Sequence, residues 1–562
     1  MTADWLLVGG DVRTMDGRRT RATAVALCGS SITAVGTDAE VGAARGPTTR
    51  VLELDGRTVL PGINDSHAHV GWWALATAAG SLDVRPARAP SVSAVQDLVA
   101  GAAARVRRGT WILGYGWDQT RFEDRRLPTR AELDLVAPHH PVALTHFSGH
   151  AMWVNGEALR RAGIDRATTV PAGSAVVRDA GGDPSGVLLE PGATGLVARL
   201  VPAPEVAELA GILEQAIAAL HRLGITSFTE PALAPGDPDR AFTFAFAEAY
   251  AHLARAGRLT ARVSVLEFFH RHGVTAGDDV RRGVREEPRL AGADPRRLRI
   301  GGVKLFADGV FSARTSWLRE PYVGGGRGSL VVDGADEQAR LKQLRSAIGV
   351  AHDAGRQVQV HATGDAAVAA TVEAMVDAQR RTPRDGPGHV LIHGVLTDAG
   401  TLDRMARHGI GLNAQPTVAR IVGGNLFAVL GPERARHQSP LRWAVDAGVP
   451  LALSTDIPIA PDPDWRTTVA DAVLRETETG PAIAGQRLTV DEALHGVTVA
   501  GARQDGADGW KGTIEPGKVA DLCVLDGPLR DDDVTALQTT GVAATFFDGE
   551  LVHATPPLAP SS

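Results

Sequence analysis

Pro61-Gly62-Ile63-Asn64-Asp65-Ser66-His67-Ala68-His69 follows the apolar pair Val59-Leu60 and sets two imidazoles one residue apart. In an extended strand, residues i and i+2 point to one face, so His67 and His69 converge if this run is a strand arriving at the mouth of a barrel. Two such ring nitrogens can grip one metal ion. The chain has 18 histidines, so the pair decides nothing alone. The decision rests on what stands at the ends of the other strands.

From Gly224 onward, short apolar runs alternate with longer stretches of helical period, the signature of βα units in a parallel sheet. The runs cover 225–229, 261–267, 298–306, 357–361, 390–393, 410–413 and 450–454. With the strand ending near Ile63 they number eight, enough to close an α/β (β/α)8 barrel of the TIM type. Between 337 and 354, Leu341, Leu344 and Ile348 recur at helical spacing and Gly355 stops the helix.

Two regions fall outside this pattern. Residues 71–221 part the first strand from the second by far more than one helix and hold Trp72, Trp73, Trp111, Trp117 and Trp153. An insertion on that connection is expected to lie over the C-terminal mouth as a lid on the substrate. At the two ends, residues 5–13, 24–35, 50–54, 521–525, 541–547 and 550–553 are short β-like runs. They are expected to pair into one small domain of 1–57 plus 512–562, with Gly512 to Asp521 as the re-entry turn, leaving 58–511 to the barrel and its insertion. The Pro/Ser-rich residues 556–562 are expected to fray.

Composition narrows the partners. With 44% apolar and 22% charged residues in 562, the chain has an ordinary globular balance. A net charge of −7 without any basic block speaks against nucleic acid or an anionic membrane, and for a neutral or small polar substrate molecule. Cys28 and Cys523 are the only cysteines, which gives neither a disulfide framework nor a Cys-based zinc site and suits a reducing cytoplasm. No signal-peptide pattern and no apolar run near the ~20 residues that span a bilayer is present. A homodimer is the assembly expected.

Placed on the proposed strands, the ionisable residues fall into register. Strands one, four, five, six and eight each end in a possible metal ligand: His67 and His69, Lys304, His361, His393 and Asp456. Strand C-termini ring one mouth, so ligands spread over nearly 400 positions can meet there. Each residue also has a plain reading: His361 and His393 as satisfied core histidines, Asp456 as a helix cap, Lys304 as the partner of Asp308. Lys304 lies in Gly302-Val303-Lys304-Leu305-Phe306. A buried ammonium facing cations has its pKa lowered, and the neutral amine reacts with CO2 to give a carbamate able to bridge two metals.

These segments together resemble the amidohydrolase superfamily, in its branch of N-substituted formamide deformylases and YtcJ-like proteins. The resemblance covers nearly the whole chain. Besides Pro61 to His69 it rests on Gly114-Tyr115-Gly116-Trp117-Asp118, Gly149-His150 with Val154-Asn155, and Lys304 to Gly309. Further along it rests on His361 to Val368, Ser454-Thr455-Asp456-Ile457-Pro458 and Gly512 to Asp521. It implies a distorted (β/α)8 barrel beside a composite β-sandwich, and a divalent metal centre, usually zinc, of one or two ions that hydrolyses C–N bonds. Two departures stand out. Ile392 replaces the acidic residue usual before the sixth-strand histidine, which questions the support of His393. Val310-Phe311-Ser312-Ala313-Arg314 is bulkier than the usual small-residue run, which points to a substrate other than the family's commonest one.

The chemistry so implied is hydrolysis of an amide-type bond, an N-substituted formamide or related N-acyl group, by water made nucleophilic at neutral pH by the metal. Asp456 would take the water's proton and return it to the leaving amine. His150 would polarise the carbonyl with the metal, or else be a structural residue ahead of the helix near Asn155. Trp117 and Asp118 would line the substrate pocket, or else pack the insertion on the barrel. Asp65 would support a ligand imidazole or end its strand. Ester or lactone hydrolysis on the same centre, and a non-catalytic ligand-binding regulatory barrel, are the competing readings.

Overall fold

A computed structural model describes residues 2–556 and 558, apart from 79, 172, 203, 234–240, 271–273, 286–289 and 291. Its centre is an eight-stranded, all-parallel sheet in chain order: β1 (Ile63–Asp65), β2 (Ile225–Leu233), β3 (Arg262–Glu267), β4 (Leu298–Phe306), β5 (Val358–Ala362), β6 (Val390–His393), β7 (Gly411–Ala414) and β8 (Leu451–Leu453). Nearly every strand residue is buried, as in a sheet covered on its outer face by helices and filled by side chains within. The first and last strands are joined beyond their ends. Asp456 N–H donates to His67 O (2.9 Å), His69 N–H to Ile457 O (2.9 Å), and Thr455 N–H to the Asp65 carboxylate (3.0 Å).

Helix Glu337–Asp353 fills the β4–β5 connection, capped by Asp336, whose carboxylate accepts from Ala339 N–H, and stopped before Gly355 at φ 76°. Boundaries lie within a residue or two of those read from sequence, except β2. That strand runs to Leu233 because a register shift after Glu230 lets it pair on to Glu267.

One sequence expectation fails in detail. Val59-Leu60 does not lead into a barrel strand: Thr58–Pro61 lies in another sheet, parallel to Asp11–Arg13 and antiparallel to Leu522–Leu525. The chain changes sheets at Gly62, where a Cβ would lie 2.2 Å from Thr226 Oγ1, so only glycine passes. The β1 strand therefore stops at Asp65, and His67 and His69 sit in the loop after it rather than on an extended strand.

The chain ends build two sheets. One has the order Ser31–Gly36, Ala24–Cys28, Trp5–Val8, Arg50–Glu53; the other Glu550–Ala554, Val542–Phe547, Leu522–Leu525, Thr58–Pro61, Asp11–Arg13, Arg21–Ala22. They share a core in which Trp5 meets Phe546 edge-on at 5.3 Å. The Pro/Ser-rich tail lies largely outside the described residues. Between β1 and β2, a six-stranded mixed sheet from Leu82–Asp83 to Pro184–Leu189 has its own core around Trp117, Phe122 and Trp153. Helix Val206–His221 then packs on the barrel. Among the described residues no helix is long and apolar enough to cross a membrane.

Candidate metal centre

His67, His69 and Asp456 offer ligand atoms that all lie within 4.8 Å of one another. Asp456 Oδ1 is 3.5 Å from Nε2 of both rings. Buried and without a hydrogen-bond partner among the described residues, that oxygen faces two nitrogens, and His67 Nδ1 is equally unpartnered there. A buried carboxylate oxygen left without a donor costs several kcal/mol, roughly 1–3 even when neutral. A cation among the three atoms removes that cost, so these residues fit a metal. Burial pushes Asp456 upward, against the pull of Lys304, and holds His67 well below its ordinary value and His69 down to about 3. Neutral imidazoles keep the lone pairs that ligation needs.

The other three predicted ligands line the same cavity without joining that tight set. His361 and His393 have ring centres 4.5 Å apart, and His393 lies 5.8 Å from His67. His361 Nε2–H donates to Gly309 O (3.1 Å), which leaves Nδ1 as its free donor atom. His393 Nδ1–H donates to Gln415 Oε1 (2.7 Å), which leaves Nε2. The Gln415 amide nitrogen donates in turn to Asn413 Oδ1 (2.8 Å) and Ser454 Oγ (3.0 Å), and so turns the oxygen toward His393. Gln415 thus gives the support that Ile392 cannot. Sequence reading missed it, although the polar alternation Asn413, Gln415 at the end of β7 points both inward.

Lys304 is 1% exposed, and its Nζ stands 4.9 Å from the Phe306 ring centre. Among the described residues it has no hydrogen bond or ion pair. Asp308 is not its partner. That carboxylate accepts from the N–H groups of Trp317 (2.8 Å), Thr363 (3.0 Å) and Gly364 (2.9 Å), tying the loop after β4 to the end of β5. Burial lowers the Lys304 pKa. Asp65 accepts from Thr455 and so joins β1 to β8, with no bond to a ligand imidazole.

The inserted region reaches the cavity with Phe147, Ser148, Gly149, His150 and Pro191. His150 Nδ1 lies 2.6 Å from Glu190 Oε2. Burial alone would lower its pKa, but the Glu190 carboxylate holds it above the ordinary value. Glu190 is fully buried at φ 64°, ψ 160°, a conformation that costs a non-glycine residue about 1–3 kcal/mol. It too escaped sequence reading. Its signal is a carboxylate at the end of the apolar run Val187-Leu188-Leu189, ahead of Pro191.

Trp117 and Asp118 are placed elsewhere than expected. Trp117 is buried in the insertion's core with its indole N–H on Leu144 O (2.8 Å), edge-on to Trp153. Asp118 is satisfied by Thr120. Neither lines the cavity, because the strand that carries Trp117 is interior to the inserted sheet. The cavity's aromatic residues are Trp72, Phe147, Phe306 and Phe311. Its volume is about 190 Å³.

A parallel barrel that brings four imidazoles, a buried lysine and a carboxylate to one mouth defines a metal-dependent hydrolase. A model of the Amidohydrolase family matches residues 50–553, and the chain belongs to that family. It is an enzyme of the kind that hydrolyses carbon–nitrogen bonds. It is 30% identical over 559 residues to the N-substituted formamide deformylase of Arthrobacter pascens, covering 98% of each chain. It is 28% identical over 512 residues to YtcJ of Bacillus subtilis (strain 168), covering 90% of this chain and 91% of that one. An uncharacterised metal-dependent hydrolase from Pyrococcus furiosus shares the fold, with a TM-score of 0.68 at 24% identity over 93% of this chain and 98% of that one.

Proposed function

We propose that the chain hydrolyses N-substituted formamides or closely related N-acyl amines. The cavity carries this reading: besides the ligand-type side chains, His150 and the hydroxyls of Ser148, Ser312 and Thr363, its wall is apolar, with Trp72, Phe147, Phe311, Val310, Val395 and Val422. Among the described residues, no charged side chain beyond the ligand set and His150 lines the cavity, which suits an uncharged amide with an apolar nitrogen substituent. At about 190 Å³ the cavity is smaller than the ~300 Å³ that drug-sized ligands need, which favours a small acyl group. Val310 and Phe311, where small residues are usual, make up part of that apolar wall. The likeness to a formamide deformylase over the whole chain supports the same substrate class.

We assign the metal as zinc, which the nitrogen and oxygen donors suit, with Lys304 as a carbamate completing a site for two ions. When bound, the cation supplies Lewis acidity that polarises the carbonyl and brings the pKa of water from 15.7 toward about 7. Asp456 accepts the attacking water's proton and passes it to the departing amine. His150, protonated on both ring nitrogens with Nδ1–H on Glu190, donates from Nε2 to the carbonyl oxygen as charge gathers there. The inserted sheet acts as the lid, since it contributes His150 and Phe147 to the mouth. Two free cysteines favour the cytoplasm as its compartment.

The test combines elemental analysis with a substrate panel. Purified enzyme is expected to hold one to two divalent ions, to lose activity on chelation and to regain it with zinc. Asp456→Asn is expected to lower kcat by about two to four orders of magnitude while keeping most of the metal. Full activity of metal-free protein would sink the metal reading. Faster turnover of esters or lactones than of amides would replace the substrate class, and binding without any turnover would leave a regulatory barrel.

A further inference from the structure

The bond from His150 to Glu190 is out of keeping with a histidine that merely fills space. Glu190 is delivered by the strand Pro184–Leu189, and its backbone N–H donates to His150 O (2.7 Å), so the two residues are tied through main chain as well as side chain. Its carboxylate serves two donors: His150 Nδ1 on Oε2 (2.6 Å) and Thr315 Oγ1 on Oε1 (2.6 Å). Thr315 Oγ1 is itself fixed by Val310 N–H (2.9 Å). Room for the carboxylate exists because residue 309 is glycine, where a Cβ would lie 2.2 Å from Glu190 Oε1. The Gly309 carbonyl in turn accepts from His361 Nε2 (3.1 Å). One buried carboxylate therefore joins the inserted sheet, the loop after β4 and the surroundings of a candidate ligand.

With Nδ1–H committed to Glu190, the ring of His150 has one remaining polar atom, Nε2, and no described residue takes it. His150 lines the cavity, with its ring centre 5.1 Å from that of His361. We propose that Glu190 is a positioning residue: it fixes the ring orientation of His150 so that Nε2 meets the substrate carbonyl, and through Thr315 it registers the insertion on the β4 loop. This rests on the amide-hydrolysis reading above. A carboxylate that orients a histidine acts only through that histidine, so its loss should disappear when the histidine is gone.

Glu190→Gln keeps shape and one acceptor oxygen in a place where alanine would leave a buried gap. It is expected to lower kcat about 10- to 100-fold, with KM within about twofold and metal content unchanged. In the His150→Ala background, Glu190→Gln is expected to cost less than about twofold more. A second reading avoids turnover altogether. The exchangeable Nδ1 proton of 15N-labelled histidine at position 150 should give a downfield resonance in metal-free and metal-loaded protein, absent in His150→Ala and shifted upfield in Glu190→Gln. An equal loss from Glu190→Gln with and without His150, or an unshifted proton, would overturn the proposal. Failure of the underlying reading looks different: the wild type itself would not turn over amides.

Discussion

An ammonium group at 1% exposure is costly to fold around when it lacks an acceptor, and Lys304 has none among the described residues. Burial lowers its pKa, and the neutral amine it favours is the form that adds CO2. The carbamate would offer an anionic two-oxygen ligand in the cavity that His67, His69, His361 and His393 also line. Lys304→Ala is therefore expected to lose one ion and most activity, with partial rescue by short carboxylic acids supplied with metal. Lys304→Arg is expected to stay inactive, because guanidinium takes up no CO2 and repels cations. Two ions and normal turnover in Lys304→Arg would show the site to be held without a bridge.

At the scale of elements, what matters is how the His67–His69 loop is held. Helix Val70–Thr77 follows it directly, and the carboxylate of Glu230, from the C-terminal half of β2, accepts from Gly71 N–H (2.8 Å) and Tyr250 Oη–H (2.7 Å). Burial pushes Glu230 up to about 8, outweighing these bonds, from the 4.5 of a free side chain. Between those pH values the folded chain holds a proton that the unfolded chain has released. Stability from this group is thus complete below about pH 4.5, falls as pH rises and is gone above about 8. The slope is at most about 1.4 kcal/mol per pH unit. Thermal melts from pH 5 to 8 should show wild type losing stability relative to Glu230→Gln. Parallel curves would mean that Glu230 ionises normally inside the fold.

Across the whole molecule, the barrel and the terminal sheets are clamped through Arg262 at the start of β3. Its guanidinium takes both oxygens of Asp521 (2.7 and 2.8 Å) and one of Asp548, which also holds Arg297 (2.7 Å). Arg262 is 3% exposed, so removing a partner leaves a charge with poor compensation. Loss of one partner from a buried pair costs about 3–5 kcal/mol. Asp521→Ala is expected to shorten the half-life of thermal inactivation sharply while leaving kcat at 25 °C unchanged. An unaltered half-life would move the clamp elsewhere.

Much of this was readable in one dimension because strand runs and strand-end ligands are local patterns. The eight β-runs, the helix stop at Gly355 and the ligand types at 67, 69, 304, 361, 393 and 456 each follow from a few neighbouring residues and from the rule that strand C-termini ring one mouth. What depends on contacts between distant segments was not readable. The carboxylate of Glu190 meets His150 across 40 positions, and Gln415 meets His393 across 22. Trp117 looked like a pocket residue because its Gly-flanked segment reads as a loop. In the fold it is an interior strand, and its indole is spent on Leu144. The sequence by itself determined which chemistry could gather at the barrel mouth, since residue type and strand period are properties of the chain. Only the tertiary structure decided which side chains support that chemistry, because hydrogen bonds are short-range and pair whatever folding brings within 3 Å.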